Sequence, residues 1–222
     1  MAVNPADFDF ISKIVREQSA IVLEKGKEYL VESRLMPLVH QEKLESLENL
    51  VKQIKMKPRG TLKDAVIEAM TTNETSFYRD IHPFETLKKE IFPELIEKRK
   101  TQKELNIWCG ASSSGQEPYS LIMLLKNSFP QLNTWKTNFS ASDLSNQMLN
   151  RCKSGIYSQL EINRGLPAPL MVKYFERIGT EWQVKEELRK MIQFRIINLS
   201  ENWPMMGTLD LIMMRNVLIY FD

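Results

Sequence analysis

Histidine and cysteine are scarce in this chain, with two of each in 222 residues. His40 and His82 lie far apart, and neither has a Cys or a second His at ligand spacing, which excludes a zinc site of the usual kind. Cys109 follows a strand-like run and Cys152 sits in a helix-like one. Two buried free thiols in a reducing compartment are therefore expected rather than a disulfide. Long apolar runs are missing as well. No stretch reaches the roughly 18–20 residues of a membrane-spanning helix, so the protein is not expected to be an integral membrane protein. The N-terminal MAVNPADFDF lacks the basic start and small-residue cleavage site of a secretory signal, so a cytoplasmic protein is expected. Neither sign of charge dominates, and a net charge of +2 gives no argument for nucleic acid. There is no low-complexity tract and no internal repeat. What is present, 43% hydrophobic and 26% charged residues, is the composition of a soluble globular chain that can bury a sizeable core.

The first seventy or so residues read as helices. Phe10, Ile11, Ile14, Val15, Ile21 and Val22 recur at helical spacing across residues 8–22, and the pattern continues over residues 29–39, 44–54 and 62–70. Pro37 is an irregularity within it. Gly26 and the Pro58-Arg59-Gly60 cluster are the breaks. A different pattern begins near Thr71. Helices are expected at residues 84–98, 118–129 and 144–154, the last stopping at Gly155. Short strands are expected at residues 105–109, 138–142, 194–199 and 209–214. The last of these is apolar throughout, as a strand buried on both faces would be. Strand–helix–strand alternation implies a parallel sheet flanked by helices, an α/β fold. Residues 156–191 are too long for one crossover helix and include two strand-like pieces around Gly179-Thr180, which read as an inserted β-hairpin.

The sharpest local feature spans residues 107–120, Ile-Trp-Cys-Gly-Ala-Ser-Ser-Ser-Gly-Gln-Glu-Pro-Tyr-Ser. A strand runs into an unbroken series of small residues, and a helix then starts with Pro118 near its first turn. Small residues let a ligand approach the backbone beyond the C-terminal end of the strand. A pyrophosphate loop often carries a Lys, and none is present. Instead Glu117 stands at the helix start, where a carboxylate suits a cationic group such as the amino group of a methionine moiety. It could equally compensate the helix dipole. Asp143 ends the second strand, further from Gly115 than the roughly 20 residues of the dinucleotide pattern. It could accept hydrogen bonds from ribose hydroxyls or cap the helix that follows. The stretch 71–79 reads as a cap and linker. Asn198-Leu199 and Arg215-Asn216-Val217 follow strands and face the same crevice as the glycine loop.

Four ordered segments, TTNETSFYRD, WCGASSSGQEPYS, ASDLSNQMLNRCKSGIY and FRIINL…LDLIMMRNVLIYFD, resemble the chemotaxis-receptor methyltransferases, the CheR family of protein-glutamate O-methyltransferases. The resemblance implies a Rossmann-like methyltransferase domain over residues 73–222, preceded by a helical domain over residues 1–72 and carrying an inserted β subdomain at about 156–192. It implies S-adenosylmethionine as cofactor, S-adenosylhomocysteine as product and a receptor glutamate as methyl acceptor. Carried over to matching positions, Asn73, Thr75 and Arg79 line the cofactor and acceptor site, with Gly110 in the loop. Glu117 holds the methionine amino group and Asp143 the ribose. Asn198-Leu199 and Asn216-Val217 flank the adenine and the sulfonium side, and Tyr220 lies near the same pocket. Arg79 and Tyr220 are the candidate catalytic residues, Arg79 because its planar fork can orient an acceptor carboxylate.

Receptor helices rich in Glu would suit the basic window of Lys52, Lys55, Lys57, Arg59 and Lys63, which has no acidic residue until Asp64. The same window could be a solvated helix face. Some relatives use the inserted hairpin to hold a receptor tether, and the short Ile178-Gly179-Thr180-Glu181 turn here implies tether independence. Family members continue beyond the position matching Asp222, so the last strands of the sheet are expected to be missing and residues 209–214 to lie at or near an open edge. Two rival readings remain: a methyltransferase acting on another protein of a signalling pathway, and a catalytically weak regulatory fragment that binds the cofactor.

Overall fold

A computed structural model of the chain describes residues 3–58 and 60–221. It divides into two units that are not separated by a single cut in sequence. The first contains the residues up to Thr72 together with Asn198–Asn202 and the segment from Asn216. The second contains Asn73–Ile197 and Trp203–Arg215.

The first unit is built on four helices: α1 (Pro5–Ser19), α2 (Glu28–Gln41), α3 (Leu47–Met56) and α4 (Thr61–Met70). Asn4 and Ser46 cap α1 and α3 with their side chains, satisfying helix-end N–H groups that would otherwise have no partner. Ile11, Val15, Val31, Leu35, Val39, Leu50, Val51, Val66 and Met70 form the core. Pro37 stands inside α2, which continues without one internal hydrogen bond. The helical run expected to reach Val22 stops at Ser19. Ala20 takes a left-handed conformation with φ 57°, and Val22 donates its N–H to the Tyr220 carbonyl at 3.3 Å. A second long-range bond, Asn198 Nδ2 to the Gln18 carbonyl at 2.6 Å, explains why the two C-terminal segments group with the helices.

In the second unit the helix expected over residues 84–98 is present in three pieces: α5 (His82–Thr86), a π turn (Leu87–Ile91) and α6 (Phe92–Arg99). Pro93 lacks an N–H and would clash with the carbonyl four residues back. The helix widens there, and Phe92 bonds to the Leu87 carbonyl. The chain continues through β1 (Glu104–Cys109), α7 (Gln116–Ser128), β2 (Lys136–Asp143) and α8 (Asn146–Ser154). There follow β3 (Ile156–Ser158), α9 (Gln159–Asn163), α10 (Ala168–Tyr174), β4 (Phe175–Ile178), β5 (Glu181–Val184) and α11 (Glu186–Arg189), and finally β6 (Ile192–Ile196) and β7 (Leu211–Met213).

β1, β2, β6 and β7 form a parallel sheet in the order β6-β2-β1-β7. The fold is thus α/β with a helical unit, as expected. β1 is central and deeply buried, with Leu105, Ile107, Trp108 and Cys109 in the core. Register places Cys109 opposite both Ala141 and Met213, and Asp143 opposite Ile196. The chain leaves β1 towards β2 and later returns to its other side as β7. Ligands bind beyond the carboxyl ends of parallel strands at such a reversal.

Two strand expectations need correction. The third runs from Ile192 to Ile196 rather than over 194–199. The fourth, β7, lies at the sheet edge, as expected for residues 209–214, so its apolar run is not covered on both faces: among the described strands it pairs with β1 only, Met213 is buried, and Ile212 is 50% exposed. It is also shorter than expected, and Asp210 just before it ties its N–H to the Asn106 carbonyl at 2.8 Å. Its carboxylate accepts from the Asn106 N–H at 2.8 Å and from Arg99 Nε at 2.7 Å.

The hairpin lies where residues 174–184 suggested, β4 and β5 turning at Gly179 with φ 60°. It is part of a larger unit than a hairpin, since β3 pairs antiparallel to β5 to give the order β3-β5-β4. No helix of the described residues is long and apolar enough to cross a membrane.

Candidate functional site

The small residues after β1 form a tightly folded loop whose backbone is bonded from several sides. Gly110 N–H continues the ladder to the Met213 carbonyl (2.8 Å) and Ser112 N–H reaches the Ser142 carbonyl (2.9 Å). Ser113 N–H donates to Asp143 Oδ2 at 2.7 Å. Ala111, Ser113 and Gly115 all have positive φ, at 53°, 48° and 97°. Only glycine takes that region freely; each side-chain-bearing residue there costs roughly 1 kcal/mol. At Gly110 a Cβ would meet Met214 Cε at 3.1 Å and the Trp108 ring at 3.3 Å, so the position is crowded for any side chain.

Asp143 is buried and holds this loop, while its Oδ1 accepts from Ser145 N–H at 2.9 Å. It is not the helix cap. Ser145 accepts from Met148 N–H and caps α8, which begins at Asn146 rather than 144. Gly155 ends α8 in the left-handed conformation, as expected. Cys109 and Cys152 are free and buried. Burial pushes the Cys109 thiol well above its usual value and the Cys152 thiol up to about 12.

The stretch 73–79 is irregular and anchored to the same loop. Ser113 Oγ donates to the Asn73 carbonyl at 2.8 Å. Tyr78 N–H donates to Ser120 Oγ on α7 at 2.9 Å. Phe77 is fully buried, with ring centroids 5.0 Å from Tyr157 and 5.7 Å from Phe175. Gly165 passes so close that a Cβ there would stand 2.1 Å from the Phe77 carbonyl oxygen. Thr75 lies half-buried within this stretch. Arg79 Nη1 donates to the Glu74 carbonyl at 2.9 Å, and Glu74 is ion-paired with Arg164.

Glu117 occupies the first turn of α7 with its side chain 15% exposed. Its carboxylate pairs with Arg215 at 3.1 Å. Arg215 also donates to the Arg79 carbonyl (2.9 Å) and to Asp80 Oδ2 (3.0 Å), and stacks over the Phe84 ring at 5.7 Å. Burial raises the Glu117 carboxyl above its usual range despite the opposing pull of Arg215 and Arg79. Arg215 carried no role in the sequence reading. A signal for it existed: a lone basic residue just after a strand, level with an acidic residue at the start of the neighbouring helix.

Asn73, Thr75, Arg79, Gly110, Glu117 and Asp143 thus share one unit. Asn198, Leu199, Asn216, Val217 and Tyr220 belong to the unit with the helices. Within that unit Asn198 Oδ1 accepts from Ser200 Oγ at 2.7 Å. Asn216 is exposed at φ 56°. Val217 opens a 3-10 turn, Leu218–Tyr220, and the Tyr220 N–H bonds back to its carbonyl at 3.1 Å.

Of the basic window, Lys52, Lys55 and Lys57 are exposed, Lys63 is half-buried, and Arg59 lies outside the described residues. The window does have an acidic partner: Asp7 on α1 sits 3.6 Å from the Lys55 ammonium. It was invisible in sequence because it comes from a different helix.

Two family models match the chain: the CheR methyltransferase all-alpha domain over residues 6–71 and the CheR methyltransferase SAM binding domain over residues 73–222. The chain is 40% identical to the chemotaxis protein methyltransferase Cher2 of Pseudomonas putida, over 100% of the chain and 82% of the relative. It is 42% identical to chemotaxis protein methyltransferase 1 of Pseudomonas aeruginosa with the same coverage. It is 36% identical to the chemotaxis protein methyltransferase of Borreliella burgdorferi, over 95% of the chain and 76% of that protein.

Proposed function

The chain belongs to the CheR methyltransferase family, whose cofactor is S-adenosylmethionine, and we propose that it methylates glutamate side chains of chemotaxis receptors in the cytoplasm, forming methyl esters. The acceptor groups after β1 and β2 suit that cofactor. Glu117 offers a largely covered carboxylate, 15% exposed, to an amino group, and the buried Asp143 offers carboxylate oxygens to a ribose diol. We assign Asn73, Thr75 and Gly110 to the same seat, and Asn198, Leu199, Asn216 and Val217 to the adenine and sulfonium side.

When bound, the cofactor supplies a methyl group on a sulfonium and leaves as a neutral thioether. A glutamate acceptor is ionised at neutral pH, with a reference pKa near 4.3, so it needs no general base. The observation that carries this reading is the ion pair of Arg215 with the largely buried Glu117 carboxylate, the same guanidinium donating to the Arg79 backbone carbonyl, beside the Cys109 thiol whose pKa is raised. Such a site orients anions rather than abstracting protons. Arg79 is proposed to orient the acceptor carboxylate, exchanging its bond to the Glu74 carbonyl for two charge-assisted bonds, with Tyr220 as a second candidate in catalysis. The exposed lysines Lys52, Lys55 and Lys57, together with Arg59 and Lys63, are proposed to meet the acidic receptor helices. The inserted sheet is proposed as a second contact that does not require a receptor tether.

The test is transfer of labelled methyl from the cofactor to receptor cytoplasmic fragments. Base-labile label, released as methanol, is expected. Arg79→Ala should lower turnover by about 10- to 100-fold, the worth of charge-assisted bonds of roughly 1.5–3 kcal/mol, with little change in S-adenosylhomocysteine affinity. Base-stable label, or near-normal methylation by that variant, would overturn the reading.

A further inference from the structure

The strained loop at residues 110–115 presents an accounting problem on its acceptor side. Gly110 and Ser112 donate their N–H groups to the neighbouring strands, Ser113 to Asp143 and Gly115 to the Ser112 carbonyl. The Ser113 and Ser114 carbonyls are served from elsewhere. Cys152 Sγ, on α8, donates to the Ser113 oxygen at 3.0 Å. The Tyr157 hydroxyl donates to the Ser114 oxygen at 2.7 Å. A thiol is a weak donor, so the phenol is the stronger latch. Left-handed residues such as Ala111 and Ser113 persist only where their surroundings over-determine them, and Tyr157 is part of that surrounding.

Tyr157 belongs to β3, the first strand of the inserted antiparallel sheet, where it pairs with Trp182. Its ring is fully buried and meets Phe77, Tyr119 and Phe175 edge-on. Those neighbours would accept a Phe equally well. The hydroxyl is accounted for by the Ser114 carbonyl alone, and burial pushes its pKa far above the usual value, so it stays a donor. The loop is also cut back to admit it. At Gly115 a Cβ would stand 2.9 Å from the Tyr157 hydroxyl and 2.8 Å from Cys152 Sγ. The face that touches Phe77 links the same ring to the 73–79 stretch.

The geometry points to Tyr157 as a positioning residue for the cofactor seat. The inserted subdomain, whatever it does towards a receptor, sets the shape of the loop that binds S-adenosylmethionine, through one hydroxyl that does not touch the cofactor. This rests on the reading that the loop and Glu117 hold the methionine end.

The experiment uses Tyr157→Phe in the full chain. Leaving a buried carbonyl without its donor is expected to raise the S-adenosylhomocysteine Kd and the KM for S-adenosylmethionine by about tenfold, while kcat at saturating cofactor moves far less. Amide exchange over residues 111–116 should accelerate, with the β4–β5 hairpin unchanged. Leu188→Ala, on α11 in the hydrophobic core of the unit, should lower Tm and leave KM in place. Glu117→Gln is the control for the seat itself. If Glu117→Gln loses affinity while Tyr157→Phe binds like the parent, the seat stands and the role of Tyr157 is overturned. If neither moves the Kd, the seat reading falls and takes this inference with it. If Leu188→Ala shifts KM as much at an equal loss of Tm, the effect is general stability and the inference is wrong.

Discussion

Replacing Arg215 with Met removes the guanidinium and keeps the length and apolar stem of the side chain. In the ligand-free protein this leaves Glu117, only 15% exposed, without the partner that offsets its desolvation. At an effective dielectric of 20, two charges at contact attract by about 4 kcal/mol, part of which returns because Arg215 no longer has to be desolvated. Fully buried pairs lose roughly 3–5 kcal/mol when broken, and about a sixth of each side chain here remains wet. Counting also the lost bond to the Arg79 carbonyl, at about 1 kcal/mol, the expected loss is about 2–3 kcal/mol. In a chain of this size that lowers Tm by roughly 4–12 °C.

The loss should depend on pH. Burial raises the Glu117 carboxyl, so the native state keeps its proton to higher pH than the unfolded chain does, and stability falls as pH climbs through the native pKa. Without Arg215 that pKa moves higher still. The deficit of the variant is therefore larger at about pH 8 than at about pH 5, because it shrinks as falling pH returns the proton to Glu117. Urea unfolding at both pH values measures it, and adding Glu117→Gln to Arg215→Met should recover most of the deficit. A loss that is the same at both pH values, or that Glu117→Gln fails to rescue, would refute the reasoning.

Cofactor-product affinity should decline as pH falls through the raised Glu117 pKa, because a neutral carboxyl no longer attracts an ammonium. Calorimetry of S-adenosylhomocysteine binding should show that dependence in the parent and not in Glu117→Gln. Gly165→Ala sets a Cβ 2.1 Å from the Phe77 carbonyl at φ 98°, so it should cost about 2–4 kcal/mol in chemical unfolding and weaken cofactor binding; a change below about 0.5 kcal/mol would contradict the close approach. Charge reversal at Lys52, which is exposed on α3, should raise KM for an acidic receptor fragment and leave KM for the cofactor alone; equal shifts in both would argue against a docking face.

The turn after β1 was legible because tiny residues between an apolar run and a helix have few other uses, and the β4–β5 turn because Gly179-Thr180 punctuates two β-rich runs. The roles of Asp143 and Arg215 were harder to read. Asp143 read as a ribose acceptor or a helix cap because both roles are common at a strand end, whereas the cap is Ser145, two residues on, and the aspartate holds the loop that follows another strand. Arg215 meets Glu117 across 98 residues of sequence, a distance over which periodicity carries no information. Tyr157 sat in a recognised segment, but its partner is a backbone carbonyl, which every residue has and no motif marks. The apolar composition of β7 suggested cover on both faces and the family resemblance an open edge; its place at the end of the sheet order bears out the second, because that order decides what covers a strand.

The Asp210 tie to Asn106 spans 104 residues, and this separation bears on how the protein is made. At roughly 5–20 residues per second of synthesis, one side of β1 waits on the order of 5 to 20 s for β7. Its other side can pair much sooner, since β2 emerges directly after α7. The helices α1–α4 by contrast draw their shared core from contacts within one short stretch and can collapse early. The most buried strand of the methyltransferase unit is therefore also the one that stays longest half-unpaired on the ribosome. An exposed strand edge is a template for the wrong partner, so the interval between Cys109 and Leu211 is where chaperone engagement or aggregation of the nascent chain should concentrate.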